Sequence, residues 1–459
     1  MIIDMVPDVA LLEIFHFYVD DDKPPTMEEW PTLHVRRKWY TLVHVCRKWR
    51  NVVFGSPRRL NLRLFCKART PVRETIDAWP LLPIHVQGYD HEKWGVDNII
   101  AALEHNDRIC RLHLEYFPSS QMGKVFAAMQ QPFPALECLY LESKSETSVV
   151  PASFLGGSAP QLQSLTLKYI PFPGLPKLLL SATHLDSLRL YCIPHSGYFS
   201  PEAIVTALSA LTRLEELFIG FKSPRSRPDR RRRPPPVTRT LVPVLTYFEF
   251  KGASEYLDDL VARIDAPLLD NFEITFFHQL IFDTPQLTQF ISRTPKFKAS
   301  NDARVLFLDW GIRFSTVDEA LGLDISCRQS DWQLSSVAQV CGSIFIPAIE
   351  HLYIRGATYY SLSWQDDIET GQWLELLHRL TAVKDLRISP EFVPRIAPTL
   401  EELVGGRVTE VLPALQTLFL EEILPSSVQE MIDKFVAARE LAGHPITVSR
   451  WEDSDSDSD

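Results

Sequence analysis

Two groups of residues in this chain are spaced for chemistry, and in both it is the chemistry of contact rather than of bond making. In the first, Arg36, Arg37, Lys38, Arg47, Lys48 and Arg50 surround Trp39, Leu42, Val43, Cys46, Trp49 and Val53, which recur at helical spacing. Such cations steer an acidic partner while the apolar side chains hold it. The second is segment 222–240, with six arginines between Arg225 and Arg233 and prolines at Pro224, Pro228 and Pro234 to Pro236. A composition of that kind cannot pack, so a disordered projecting loop is expected, either plainly solvated or serving as a nuclear-import signal or anion contact. The signatures of bond-making sites are missing: there is no HExxH, GxSxG or GxxxxGK[ST], and no GxGxxG after a strand. The thirteen histidines are dispersed, and Asp258-Asp259 and Asp366-Asp367 fall in polar stretches that read as solvated faces. The seven cysteines have neither CxxC pairing nor zinc-ligand spacing. No enzymatic activity, cofactor or metal is expected.

The elements that position these residues must come from a long chain. With 459 residues, either several domains or a repeat array is required. Fractions of 45% hydrophobic and 23% charged residues exclude wholesale disorder. No apolar run reaches the roughly 18 to 20 residues that span a bilayer. Asp4 and Asp8 stand where a signal peptide carries bases, so a reducing cytoplasmic or nuclear location is expected. The net charge of −11 argues against nucleic-acid binding by the chain as a whole. Its distribution is uneven: residues 1–35 hold eight acids and one Lys, whereas residues 36–69 hold eleven Lys or Arg and no acid.

One phrase recurs along the chain, an apolar residue at positions 1, 4 and 6. It stands at Ile109/Leu112/Leu114, Leu136/Leu139/Leu141, Leu162/Leu165/Leu167, Leu185/Leu188/Leu190, Leu214/Leu217/Ile219, Leu245/Phe248/Phe250 and Leu269/Phe272/Ile274. Looser copies are Leu306/Leu308, Ile349/Leu352/Ile354, Val383/Leu386/Ile388 and Leu415/Leu418/Leu420. Positions 4 and 6 share one face of a strand. Helical stripes lie between the phrases: Ile204, Ala207, Leu208 and Leu211 behind an N-cap at Ser200; Leu287, Phe290 and Ile291 behind Thr284-Pro285; Trp373, Leu376, Leu377 and Leu380; and Val428, Met431, Ile432, Phe435 and Val436. A helix-turn-strand unit cannot bury both its faces alone, so neighbours must stack with parallel strands on one side and helices on the other. This pattern resembles the leucine-rich-repeat family over residues 97–450, although the Asn or Cys three positions after the last apolar residue is missing. An ordinary α/β domain with Leu-rich strands is the alternative.

The first sixty residues differ in character. In VPDVALLEIFHFYV, Leu11, Ile14, Phe15 and Tyr18 follow Pro7 at helical spacing, and Leu12 widens the stripe. After a polar segment, the second helix closes on Val45-Cys46-Arg47-Lys48-Trp49. These residues resemble an F-box: Val6-Pro7 stand for its Leu-Pro opening, Leu11, Leu12, Ile14 and Phe15 for its first helix, and VCRKW for its end. Val6 in place of Leu and a longer inter-helix loop are departures. The arrangement is of the kind common among F-box proteins of mushroom-forming fungi. The resemblance implies docking on the Skp adaptor of a cullin-type ubiquitin ligase through Pro7, Leu11, Leu12, Ile14, Phe15, Leu42, Val43, Cys46 and Trp49. The alternative is that these helices only cap the repeats, leaving a protein-interaction scaffold without a ligase role.

The expected organisation is α/β: an F-box-like helical domain (1–60), a linker and first cap (61–96), an irregular leucine-rich-repeat solenoid (97–450) interrupted by the basic loop (222–240), and an acidic tail (451–459). In the tail, Ser454 and Ser456 each precede an Asp by three residues, the pattern favoured by acid-directed kinases. Strand residues beside the apolar positions, namely Tyr140, Arg189, Phe218, Glu249, Tyr353, Arg387 and Phe419, are the expected contacts for a protein substrate on the concave side.

Overall fold

A computed structural model describes residues 6–19, 42, 44–55, 62–79, 81–88, 95–228, 238–277, 282–298, 301–308, 311–326, 349–356, 370–403, 405–421 and 424–451. The chain divides into two compact units, Met1–Leu165 and Thr166–Asp459.

In the first unit, helices Asp8–Val19 and Arg47–Gly55 precede the strands β1 (Leu62–Phe65), β2 (Ile84–Gly88), β3 (Ile109–Phe117) and β4 (Cys138–Ser143). These pair in parallel in chain order. Helices Val72–Ala78, Val96–Leu103 and Ser119–Ala128 connect them. Residues 61–96, expected as linker and cap, thus contain two paired strands. Leu62/Leu64 has Arg59 at position 1, whereas Ile84/Val86 follows an apolar residue, Leu81, that is exposed rather than buried. Strand β5 (Ser164–Lys168) falls at the division between the units.

The second unit contains β6 (Ser187–Ile193), β7 (Glu216–Phe221), a short parallel pair β8 (Thr240–Leu241) and β10 (Ile264–Asp265), β9 (Tyr247–Gly252), β11 (Asn271–Phe277), β12 (Asp302–Leu308), β13 (Gly311–Thr316), β14 (Leu321–Ser326), β15 (His351–Gly356), β16 (Asp385–Ile388), β17 (Thr417–Glu421) and β18 (Thr447–Trp451). Its main sheet runs β6-β7-β9-β11-β14-β13-β12-β15-β16-β17-β18. Pairing is parallel except around β13, which is antiparallel to both β12 and β14. The expectation of uniformly parallel strands is corrected there, because a three-stranded meander is inserted between β11 and β15. The copy read as Leu306/Leu308 was one residue out of register. Ala303, Val305 and Phe307 are the buried residues, and a shift of one residue exchanges the faces of a strand.

The phrase itself does two jobs. Positions 4 and 6 are buried in the strands, and position 1 is buried just before them. The position-1 amide closes a tight turn on the carbonyl three residues back in Leu136, Leu162, Leu185, Leu214, Leu269 and Leu415. The next amide reaches the preceding copy, as in Glu137 to Cys110, Glu215 to Asp186 and Gln416 to Lys384. Each copy is thereby locked to its neighbour through backbone groups that no side chain has to satisfy.

The missing Asn or Cys has a structural counterpart. Two residues past the last apolar position, Tyr116, Tyr169 and Cys192 adopt positive φ of 51°, 62° and 51°. This left-handed step turns the following residue, Phe117, Ile170 or Ile193, into the core. An apolar anchor therefore ends these strands in place of the missing Asn or Cys. Aromatic packing carries much of the second core: Phe221 lies 4.7 Å from Tyr256, Phe248 stacks on Phe272 at 5.0 Å, and Phe307 lies 4.5 Å from Phe392. Each such ring contributes about 1.5 to 3 kcal/mol on burial.

Helix starts follow the sequence with one substitution. Ser200 Oγ accepts from the Ala203 amide at 3.3 Å, as its position predicts. Thr284 provides no side-chain cap for helix Pro285–Arg293. Asp258, on helix Ser254–Val261, caps it instead by accepting from the amides of Gln286 and Leu287 at 2.8 and 2.9 Å.

Candidate interaction surfaces

The N-terminal helices are joined by Phe15 and Trp49, whose rings meet edge-on with centroids 4.7 Å apart. Lys48 Nζ donates to the Val6 carbonyl at 2.7 Å and lies 3.7 Å from Asp8. Of the residues expected to meet the adaptor, Leu11, Phe15 and Leu42 are buried, whereas Leu12, Cys46 and Trp49 are half-buried. Pro7 and Ile14 are exposed, and Val43 lies outside the described residues, as do Trp39 and Arg36 to Lys38. Burial of Leu11, Phe15 and Leu42 assigns them first to holding the helices. Among the described residues of these helices, the large apolar side chains directed outward are Val9 (69% exposed), Ile14 (54%) and Val45 (49%). Val9 was not among the expected docking residues; its place directly after the first helical residue, off the buried stripe, was the available signal.

On the open strand face of the first unit, register aligns Arg63, His85 and Arg111 in one row and Phe65, Gln87, His113 and Tyr140 in the next. His85 is buried, and burial together with Arg111 and Arg63 pushes its pKa down to about 3, so the ring is neutral. The His113 ring stacks on Tyr140 with centroids 4.1 Å apart. Tyr140 in turn donates to Glu142 at 2.8 Å. Burial and that carboxylate raise the Tyr140 pKa, so its hydroxyl stays protonated.

The second unit shows a different open face. Arg189, Phe218, Glu249 and Glu273 share one row across β6, β7, β9 and β11. Arg189 pairs with Glu216 at 2.7 Å, and Tyr247 donates to Glu249 at 3.0 Å. Phe218 is buried, its ring 4.0 Å from Tyr191, so it is covered rather than presented. Across β14, Arg313 grips both oxygens of Glu273 at 2.8 Å and lies 4.0 Å from Asp324. Gly322 makes this crossing feasible: a Cβ there would sit 2.3 Å from Glu273 Oε2. Burial raises the pKa of Glu249 and Glu273 and pushes that of Asp324 up to about 6. A further row unites Tyr353, Arg387 and Phe419, with the Arg387 guanidinium 5.0 Å from the Phe419 ring centroid.

The expected substrate contacts therefore fall into two trios in the second unit, with Tyr140 in the first. Sequence reading missed His85 and Arg111, although Arg111 adjoins Leu112 of the phrase Ile109/Leu112/Leu114, and Glu273, Arg313 and Asp324, whose association depends on the inserted meander. The basic segment 222–240 also differs from its expected disorder at both ends. Ser226 is buried beside His195 at 3.4 Å, Arg227 pairs with Glu255 at 3.5 Å, and Thr240 belongs to β8. Residues 229–237, the acidic residues 452–459, Cys327 and Cys341 lie outside the described residues. Among the described residues, no helix is long and apolar enough to cross a membrane, and no cluster of His, Cys, Asp and Glu is arranged to hold a metal ion.

No protein-family model matches the chain, and no curated protein matches it. Among solved structures it is similar to the leucine-rich repeat-containing protein LegL7 from Legionella pneumophila, with a TM-score of 0.27 and 14% identity over 84% of this chain and 98% of that one.

Proposed function

We propose that this chain is the substrate-recognition subunit of a Skp-cullin-F-box-type ubiquitin ligase, with the F-box-like residues 1–60 docking on the Skp adaptor and leucine-rich-repeat-like strands holding a protein substrate. The observation that carries this reading is the pair of helices locked by Phe15 and Trp49 while Val9, Ile14 and Val45 remain exposed. Apolar side chains held in water on a rigid helix pair favour a partner's apolar surface. Arg47 and Arg50, exposed beside them, would speed encounter with an acidic one. Such a receptor needs no active site, because it raises the effective concentration of substrate near a separate catalytic subunit.

The test is co-purification of the full chain with a Skp-type adaptor. Ile14→Asp combined with Val45→Asp should cut adaptor recovery by more than about tenfold while leaving the circular dichroism unchanged. These exposed positions are preferred to Leu42 and Trp49, whose replacement would loosen the helix pair itself. Undiminished recovery by the double variant would sink the docking assignment.

A repeat scaffold without a ligase role is the second reading. The row Tyr353, Arg387 and Phe419 favours it, since an aromatic surface carrying charge suits a protein partner with or without a ligase. Failure of the unaltered chain to recover the adaptor would select it.

A further inference from the structure

The open face of the second unit changes character past the meander. Between β6 and β14 its arginines are neutralised, Arg189 by Glu216 and Arg313 by Glu273. On β12, β15 and β16 they are not. Register sets Arg304, Tyr353 and Arg387 side by side, and Arg355 stands two residues beyond Tyr353 on the same face. Arg304 and Arg387 are exposed and Arg355 is half-buried, and among the described residues none of the three has an ion-pair partner. The described carboxylates around them are already engaged, Asp385 with His351 at 2.8 Å and Glu391 with the Gly356 amide at 2.8 Å. Asp302 is likewise engaged within the chain.

We propose that the cluster Arg304-Arg355-Arg387 binds an acidic, extended segment of a partner protein whose carboxylates fall on alternate residues. Strands stand about 4.8 Å apart and rise about 3.3 Å per residue, so the Arg355 backbone is about 8 Å from those of Arg387 and Arg304. Alternate residues of an extended segment point the same way about 6.6 Å apart, a spacing on which two long side chains can close without strain. Arg355 and Arg387 can then each take one carboxylate in a two-pronged hydrogen bond. Arg387 is held for this role: its guanidinium lies 5.0 Å from the Phe419 ring centroid, and a guanidinium over a ring keeps its N–H groups in its own plane, available to donate. Arg304, across Tyr353, adds a third cation that speeds encounter with an acidic segment.

Two separated carboxylates suit this arrangement better than one phosphate group, because drawing three guanidiniums onto a single point would pull Arg387 off the Phe419 ring. The half-buried rings of Tyr353 and Phe419 offer apolar surface to a side chain beside the acids. In the preceding row, Asp302 and Asp385 flank His351 and repel further carboxylates, so the acids are accepted toward Arg355 only.

This inference deepens the substrate-holding half of the proposed function and rests on it, while its test is independent of adaptor docking. Random peptides displayed on phage are selected on the full chain, and the strongest is synthesised with a fluorescent label. The selected sequences should be enriched in Asp or Glu at alternate positions. By fluorescence anisotropy, Arg304→Glu combined with Arg387→Glu should weaken binding by at least about tenfold. Replacement of the peptide acids by their amides, which leaves the protein unaltered, should do the same. Arg189→Ala, which removes a neutralised arginine of the same unit, should change the affinity by less than about twofold. Circular dichroism and adaptor recovery of the double variant should match those of the unaltered chain, whatever the level of that recovery. Selected peptides without acids, an affinity that the double variant leaves unchanged, or an equal loss from Arg189→Ala would overturn the proposal. Displacement by orthophosphate well beyond that by chloride at equal ionic strength would overturn it in favour of a phosphate group. Binding that appears only when Asp453, Asp455, Asp457 and Asp459 are replaced by Asn would overturn it in favour of the chain's own acidic residues.

Discussion

The open faces of the two units are made from similar residue types and use them in opposite ways. Over β6–β14 of the second unit, Arg189 is spent on Glu216 and Arg313 on Glu273 and Asp324, so charge on that face holds the sheet together. In the first, Arg111 has no such partner among the described residues, and His85 is kept neutral by burial and the nearby Arg111 and Arg63. The difference follows from topology. The meander β12–β14 places β13 antiparallel against β14, and the Arg313-Glu273 bridge passes over Gly322 to pin it. The first four strands are parallel copies joined by backbone bonds between successive copies and contain no such inserted meander.

If that contrast is right, removing one arginine from each face should have unequal effects on stability. Arg313→Ala leaves Glu273 and Asp324 mostly buried without compensation, and the expected loss is about 2 to 3 kcal/mol in the strands around it. Arg111→Ala removes an exposed side chain and should change stability by no more than about 0.5 kcal/mol. Hydrogen exchange of peptides from β13–β14 and β2–β3 reads both effects locally, which a single melting curve over two units would blur. Equal protection losses would mean that Arg313 does not hold β13 and β14 in place.

The pH dependence should also differ in sign. His85 has a folded pKa of about 3, below its unfolded value of 6.5, so its contribution is fully present above 6.5 and is lost progressively as pH falls from there toward 3. Between pH 7 and 5 the local loss is about 2 kcal/mol. Asp324 has a folded pKa of about 6, above its unfolded 3.8, so the strands holding it gain about 1 kcal/mol over the same interval as it takes up a proton. After correction for intrinsic exchange, acidification should deprotect β2 and protect β14. Parallel changes in the two strands would refute the assignment of charge states.

Much of this was legible in the sequence, in proportion to how local its cause was. The phrase with apolar residues at positions 1, 4 and 6 located most of the parallel strands, because alternation and a turn are properties of adjacent residues. Ser200 was readable as a cap for the same reason, whereas the cap at Gln286 and Leu287 was not, since Asp258 reaches it from another helix. The meander was hidden because Leu306 and Leu308 mimic the repeat while the buried set is one residue out of phase. Among surface residues, outward direction could be read for Arg387 and Phe419 from alternation alone. The burial of Phe218 could not, because Tyr191 on the neighbouring strand covers it.

The smallest expected effect concerns a feature the two units share. Tyr116 in the first and Cys192 in the second hold the same left-handed step, with φ of 51° at both. A side chain in that region costs about 1 to 2 kcal/mol, whereas glycine adopts it freely but loses more entropy on folding. Tyr116→Gly and Cys192→Gly should therefore each stabilise their strand ends by at most about 1 kcal/mol, measured as slower exchange around Phe117 and Ile193. Tyr116 is exposed, while Cys192 is half-buried and loses some thiol burial on replacement. Tyr116→Gly should be the more stabilising of the two. The reverse order would mean that the Tyr116 ring contributes packing against the open face that its exposure conceals.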